Sequence, residues 1–117
     1  MNNKFQPINF EQLDEMSFGD DAFKKELIDI FLEQIPEFIT NMKKYFAEND
    51  LLSLSKEAHT AKSSVFIFGM QNTGESLKTI QHLGEKEIKT GIPELLEKVI
   101  AELENADQEL KVFLEKL

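Results

Sequence analysis

The sequence predicts an all-α fold, an antiparallel up-down-up-down four-helix bundle with a short extra N-terminal helix. Apolar residues recur in steps of three and four along four long segments, which is the spacing of one helix face. No segment shows the alternation of apolar and polar residues that is typical of a half-buried strand. The connecting turns are too short for crossovers, so sequential helices should run antiparallel.

Composition limits the classes of protein that the chain can represent. A length of 117 residues with 41% hydrophobic residues suits one domain, predicted to span 1–117, with one core. The net charge of −9 argues against nucleic-acid binding and against anionic membranes. The absence of cysteine excludes disulfides and thiolate catalysis. Neither a signal peptide nor an apolar run of roughly 20 residues is visible, so we expect a cytoplasmic protein.

The chain is expected to begin with a loose lead-in at residues 1–8. Asn9 followed by Gln12 resembles a capping box and predicts the start of a short helix. Its apolar residues are Phe10, Leu13 and Met16. After a break, Asp20 or Asp21 can cap the next helix.

A long helix is predicted over residues 21–48. Its first apolar row comprises Phe23, Leu27, Ile30, Phe31, Phe38 and Met42. A second row beside it comprises Ile28, Leu32, Ile35 and Ile39. Pro36 should kink this helix without ending it, because the periodicity resumes on the same face. The two rows together form an apolar arc that is wider than a two-helix seam requires. Either the N-terminal helix covers the second row or a partner docks there.

The next helix is predicted from Leu51 to about Phe68, after a turn and cap at residues 49–50. Its core stripe comprises Leu51, Leu54, Ala58, Ala61, Val65 and Phe68. Gly69 fits the left-handed position that follows a helix end.

Two further helices complete the bundle. Asn72 with Glu75 predicts a cap for a helix that ends near Ile88, in which Gly74 and Gly84 lower the helix propensity. Its apolar residues are Leu77, Ile80, Leu83 and Ile88. A turn at residues 90–93 places a proline near the start of the last helix. That helix carries Leu96, Val99, Leu103, Ala106, Leu110, Phe113 and Leu117.

His59 is the candidate functional residue. It lies about 130° from the middle of the core stripe, so its side chain should point outward. Its neighbours on the helix surface are Ser55, Lys56, Lys62 and Ser63. An apolar rim further out comprises Leu52, Phe66 and Met70.

Each part of this arrangement suits phosphoryl transfer. A neutral imidazole is a competent nucleophile, nearby lysines attract phosphoryl oxygens, and an apolar rim suits a docked partner. The alternative is an inert histidine on a solvated helix face, with Lys56 and Lys62 paired to acidic residues such as Glu57. Composition and spacing alone leave both interpretations of His59 open.

The residues around His59 resemble those of the histidine phosphotransfer (HPt) domains of bacterial two-component phosphorelays. The family signature is roughly A-H-x-x-K-G, with a glycine ten residues after the histidine. Ala58, His59 and Lys62 match it, and Gly69 falls at the tenth position. Gln81 matches a place on the following helix where some members carry Gln or Glu.

The resemblance implies a role for each matching side chain. His59 would be the phosphoacceptor, Lys62 would help to neutralise the phosphoryl group, and Gln81 would orient or shield the imidazole. Ser63 replaces the usual glycine and, being small, should preserve access to the ring. Ala61 replaces a larger aliphatic residue. Helix geometry, rather than the family motif, adds Lys56 as a supporting cation.

The resemblance also implies partners. The chain would relay phosphoryl groups between phospho-Asp receiver domains of response regulators and a hybrid sensor kinase. It would have no kinase activity of its own and no cofactor, because Mg²⁺ would sit on the receiver. The expected docking residues are Leu52, Ser55, Phe66, Met70, Ile28 and Leu32. We expect a monomer, and the initial methionine favours a free-standing protein.

Two other functions stay open at this point. One is a non-catalytic bundle of HPt type that binds receivers or other signalling proteins. The other is a generic acidic bundle with an incidental motif. His82 is interpreted as structural or solvated, and no ligand spacing supports a metal site that joins it to His59.

Overall fold

The computed structural model describes residues 8–117 and confirms the all-α prediction. Five helices follow one another: α1 (Phe10–Met16), α2 (Asp21–Ala47), α3 (Leu51–Ile67), α4 (Gln71–Glu85) and α5 (Ile92–Glu115). No strand occurs within this range. Apart from Ile8, the predicted lead-in lies outside the described residues.

The four long helices form a closed bundle. Helix α2 packs on α3 and α5, and α4 packs on the same two helices, so each long helix has two neighbours. The connections at residues 48–50, 68–70 and 86–91 are short and turn the chain back on itself. Buried side chains from all five helices join a single hydrophobic core.

Helix α2 has the predicted extent and continues through Pro36, but its buried face differs from the predicted rows. The apolar residues on that face are Ile28, Phe31, Ile35, Phe38 and Met42, again in steps of three and four. Phe23 and Ile30, both in the predicted first row, are 37% and 55% exposed. Two residues of the second row, Ile28 and Ile35, are therefore core.

Helix α3 confirms the predicted stripe, because all six of its residues are buried. The Asp50 carboxylate accepts a hydrogen bond from the backbone N–H of Ser53 at 3.1 Å and caps the helix start. Gly69 has the predicted left-handed backbone, with φ at 70°. This glycine ends α3 and lets the chain re-enter a helix at once.

That sharp turn explains why the predicted start of α4 was wrong. Met70 already precedes the first helical residue, and Asn72 lies inside the helix instead of capping it. Helix α4 ends at Glu85, and Ile88 lies beyond it with 42% exposure. Gly84 serves packing: a Cβ there would come within 2.7 Å of the Leu51 carbonyl oxygen.

Helix α5 begins as predicted, with Pro93 in its first turn after a left-handed Gly91. Its stripe is buried from Leu96 to Leu110, whereas Phe113 is half-buried and Leu117 is exposed beyond the helix end. The buried stripes of α3 and α5 thus both contribute to the single core.

Helix α1 covers the C-terminal end of α3. Asn9 caps α1 by accepting from the Gln12 backbone N–H at 3.0 Å, which confirms half of the predicted capping box. The Gln12 side chain instead donates to the carbonyl oxygens of Phe66 (2.5 Å) and Ile67 (3.3 Å). The Asn9 N–H donates to the Phe68 carbonyl at 2.9 Å. Helix α1 therefore satisfies carbonyls that the end of α3 leaves free.

Side-chain contacts hold α1 to two other helices. The buried Lys24 ammonium of α2 donates to Asp14 at 2.6 Å, and this hydrogen bond raises the pKa of Lys24. The rings of Phe10 and Phe113 stack with centroids 4.6 Å apart, which joins α1 to α5. The short helix is thus fixed against three long ones.

Candidate functional site

His59 is exposed on the outer face of α3, as its spacing predicts. Its side chain lines a shallow cavity of about 320 Å³ between α3 and α4. The other lining residues are Ser55, Lys56 and Thr60 of α3 and Gln81 and Glu85 of α4. The structure thus brings His59, Lys56 and Gln81 together in one cleft.

The Gln81 amide links the histidine to a lysine. Gln81 Oε1 lies 3.4 Å from His59 Nδ1 and accepts a hydrogen bond from Lys62 Nζ at 3.2 Å. Gln81 Nε2 donates to Glu85 Oε2 at 3.1 Å. The opposite amide orientation would point the NH₂ group at an ammonium and the oxygen at a carboxylate. Charge therefore selects the orientation in which Oε1 faces His59.

This orientation also selects a histidine tautomer. Because Gln81 Oε1 can only accept, the neutral ring is expected to carry its proton on Nδ1. Nε2 then keeps its lone pair, which makes it the nucleophilic nitrogen. Ser63 is exposed and its hydroxyl donates to the His59 carbonyl oxygen at 3.4 Å, so this hydroxyl is engaged by the helix backbone instead of the ring.

The charges around the cleft are mixed. Lys62 is half-buried and Lys56 is exposed, so two ammonium groups lie on the α3 side. Glu85 places one carboxylate on the α4 side. Within residues 8–117, no group of three His, Cys, Asp or Glu side chains is arranged to hold a metal ion. His82 is exposed on α4 and is not among the residues that line the cleft.

Most of the expected docking residues do not fit that role. Ile28 and Met70 are buried in the core, and Ser55 is 5% exposed with its hydroxyl bonded to the Leu52 carbonyl. Leu32 is half-buried and lines a groove between α2 and α5. Leu52 is exposed on the face of α3 that carries His59. Ile28 is buried because it lies on the true core face of α2, and Met70 because of the tight turn before α4. Ser55 is buried because Gly84 of α4 packs against it.

Phe66 has a mixed position. Its half-buried ring occupies the space that a Cβ on Gly74 would need, so part of it packs on α4. The rest of the ring is accessible to solvent.

Sequence reasoning missed four exposed apolar side chains on α1, on α2 and in the turn between them: Met16, Phe18, Phe23 and Ile30. Phe18 is 87% exposed and has a left-handed backbone, with φ at 57°. Periodicity assigned three of these four residues to buried faces, because it cannot tell which of two adjacent rows faces the core.

Sequence reasoning also missed Glu85, which completes the α4 side of the cleft. The signal was present in the sequence, because Glu85 lies four residues after Gln81 and therefore on the same helix face.

None of the described helices is long and apolar enough to cross a membrane.

Comparison with known proteins identifies a family model and a relative that this chain matches. A sequence model of the Hpt domain matches residues 26–109, which is more than half of the chain and includes His59, Lys62 and Gln81. Over 77 residues the chain is 29% identical to the "Phosphorelay intermediate protein YPD1" of Candida albicans. That alignment covers 66% of this chain and 42% of the relative, so the chain spans less than half of the relative's length. The likeness therefore extends to a fungal protein.

Proposed function

Because this chain belongs to the Hpt domain family, we propose that it is a phosphorelay intermediate that carries a phosphoryl group on His59. One observation supports this most directly. Gln81 Oε1 faces His59 Nδ1, which leaves Nε2 as the free nucleophile in a cleft lined by Lys56. The phosphoryl donor and acceptor in the proposal are aspartates of receiver domains.

The proposed step is a displacement at phosphorus. The Nε2 lone pair forms an N–P bond while the P–O bond of the receiver's acyl phosphate breaks, and the aspartate carboxylate leaves with that electron pair. The product ring is cationic because Nδ1 keeps its proton, and Gln81 Oε1 accepts a hydrogen bond from that N–H. A second receiver aspartate takes the phosphoryl group by the reverse step.

Two lysines supply positive charge for the transferred group. Lys62 Nζ, held by Gln81 Oε1 at 3.2 Å, is close enough to turn toward a phosphoryl oxygen. Lys56 approaches from the preceding helical turn and lines the cleft. Positioning and charge stabilisation contribute most of the catalysis in phosphoryl transfer. We propose that the receiver contributes the Mg²⁺ and that this chain contributes the nucleophile and the ammonium groups.

The exposed apolar residues suggest where a receiver docks. Leu52 lies seven residues before His59 on the same face of α3. On α2, Gln34 accepts from Ser64 at 2.9 Å, so this side of α2 borders α3. Ile30, one turn before Gln34, is exposed on that side. In this proposal Leu52 and Ile30 flank His59 along the surface that a receiver covers.

The test is transfer of labelled phosphate. A receiver phosphorylated on aspartate is mixed with the protein in the presence of Mg²⁺, and the label on this chain is followed. A base-stable, acid-labile label is expected on the wild type and on His82→Gln, and none on His59→Gln. Equal labelling of His59→Gln would contradict the proposal. Binding of a receiver without any label on the wild type would favour the non-catalytic binding module.

A further inference from the structure

Glu85 accepts a hydrogen bond from the Gln81 amide, which in turn contacts His59. Its Oε2 accepts from Gln81 Nε2 at 3.1 Å, while Gln81 Oε1 faces His59 Nδ1 and Lys62 Nζ. Glu85 also lines the cleft beside His59. The chain of contacts therefore runs from a carboxylate, through an amide, to the imidazole.

We infer that Glu85 is a positioning residue that fixes the Nδ1–H tautomer of His59 by orienting the Gln81 amide. With Gln81 Nε2 engaged by the carboxylate, Oε1 is the amide atom left to face the ring. An Oε1 acceptor beside Nδ1 stabilises the Nδ1–H form, and Nε2 becomes the nucleophile. The consequence for phosphoryl transfer rests on the proposed function, whereas the tautomer itself does not.

Lys62 alone is not sufficient to hold the amide during transfer. It also selects the Oε1-inward orientation of Gln81, but the proposed reaction requires its ammonium group to turn toward the phosphoryl oxygens. Once Lys62 leaves Gln81, Glu85 is the contact that retains the amide orientation. Glu85 is thus needed most when the N–P bond forms.

The position of Glu85 in its helix argues against a role in helix stability. It is the last residue of α4, where the free carbonyl groups disfavour a negative side chain. Glu85 is also exposed and packs into no core. Its hydrogen bond to Gln81 is the contact that distinguishes it from the neighbouring surface acids.

Three substitutions separate its hydrogen bond from its charge. Glu85→Gln keeps an oxygen acceptor of the same reach and removes the charge. Glu85→Asp keeps the charge but shortens the side chain by one methylene, which withdraws the acceptor. Glu85→Ala removes both. Thermal unfolding of each variant checks that the fold is retained.

The primary readout is the tautomer of His59, measured from the ¹⁵N chemical shifts of its ring without any receiver. The exposed ring of His82 serves as an internal reference in the same spectrum. Wild type and Glu85→Gln are expected to show the Nδ1–H form. Glu85→Asp and Glu85→Ala are expected to shift toward the values of His82. Lys62→Met alone, which removes the other contact to Gln81 Oε1, is expected to keep the Nδ1–H form. An unchanged His59 tautomer in the double variant Glu85→Ala/Lys62→Met would overturn the inference.

The second readout is the rate of label transfer. Glu85→Gln is expected to transfer at least as fast as the wild type, and Glu85→Asp and Glu85→Ala about fivefold more slowly, the effect of one lost hydrogen bond. Slow Glu85→Gln with normal Glu85→Asp would contradict positioning and assign the effect to charge. If the wild type carries no label but the tautomer responds as expected, the proposed function fails and the positioning role stands.

Discussion

Two interfaces of the bundle differ in how closely their helices approach. We call the α3–α4 interface the closed seam and the α2–α5 interface the open seam. In the closed seam, Gly84 lies against the Leu51 carbonyl and Ser55, and the Phe66 ring covers Gly74. The open seam has two cavities of about 570 and 540 Å³, and Glu104 lines both. The difference shows why the site lies where it does. The close approach of α3 and α4 brings the Gln81 side chain of α4 to the His59 ring of α3.

The largest expected effect comes from forcing the closed seam apart. Gly84→Val should lower the free energy of unfolding by about 3 kcal/mol, because its side chain would meet backbone atoms that cannot rotate away. Urea unfolding measures the change. Transfer of label should also slow, because Gln81 moves away from His59.

The matched control adds bulk to the open seam. Ala101 is exposed and lines one of the two cavities, so Ala101→Leu should change the free energy of unfolding by less than about 0.5 kcal/mol. Equal losses in Gly84→Val and Ala101→Leu would contradict the distinction between the two seams.

A smaller effect is expected at Gly74. The obstacle there is the half-buried Phe66 ring, a side chain, whereas Gly84 also faces backbone atoms, so we expect the ring to rotate toward solvent. The strain should largely cancel the gain of about 1 kcal/mol in helix propensity from Gly to Ala. Gly74→Ala should therefore leave the urea midpoint nearly unchanged and increase the exposure of Phe66, which the ring's NMR shifts report. A loss as large as that of Gly84→Val would show that the ring is fixed.

The smallest effect concerns the helix start in the closed seam. Hydrogen bonds from the hydroxyl and N–H of Ser53 lower the pKa of Asp50, with a smaller contribution from Lys56. A lowered folded-state pKa contributes stability above the unfolded value of about 3.9, and this stability is lost as the pH falls through the folded value. Asp50→Asn retains the cap.

Unfolding measured between pH 7 and pH 3 tests this sign. The difference in stability between wild type and Asp50→Asn should shrink as the pH falls below about 4. A difference that grows toward low pH would contradict it.

The sequence predicted the buried face of α3 better than that of α2. The α3 stripe is a single row at helical spacing whose flanking residues between Ser55 and Ser64 are all polar, and it correctly turned His59 outward. On α2 two apolar rows adjoin, and periodicity did not reveal that Ile30 is exposed while Ile28 is core.

The limits of the site prediction have a similar cause. The Gln81 contact came from family resemblance, because no local pattern relates residues on different helices. The start of α4 was placed too late because Asn72 satisfies a capping pattern that the tight turn at Gly69 pre-empts. Tertiary contacts decided both outcomes.

The glycine ten residues after the histidine has a consequence for where the folding unit begins. A Cβ on Gly69 would collide with Asn9, so the absence of a side chain leaves room for the start of α1. Gln12 of α1 then donates to a carbonyl at the end of α3. The matched family segment, 26–109, leaves α1 out. A fragment cut to that segment would expose those carbonyls to water, and amide exchange would rise first in the last turn of α3. We therefore expect the cooperative unit to begin before the segment by which the family is recognised.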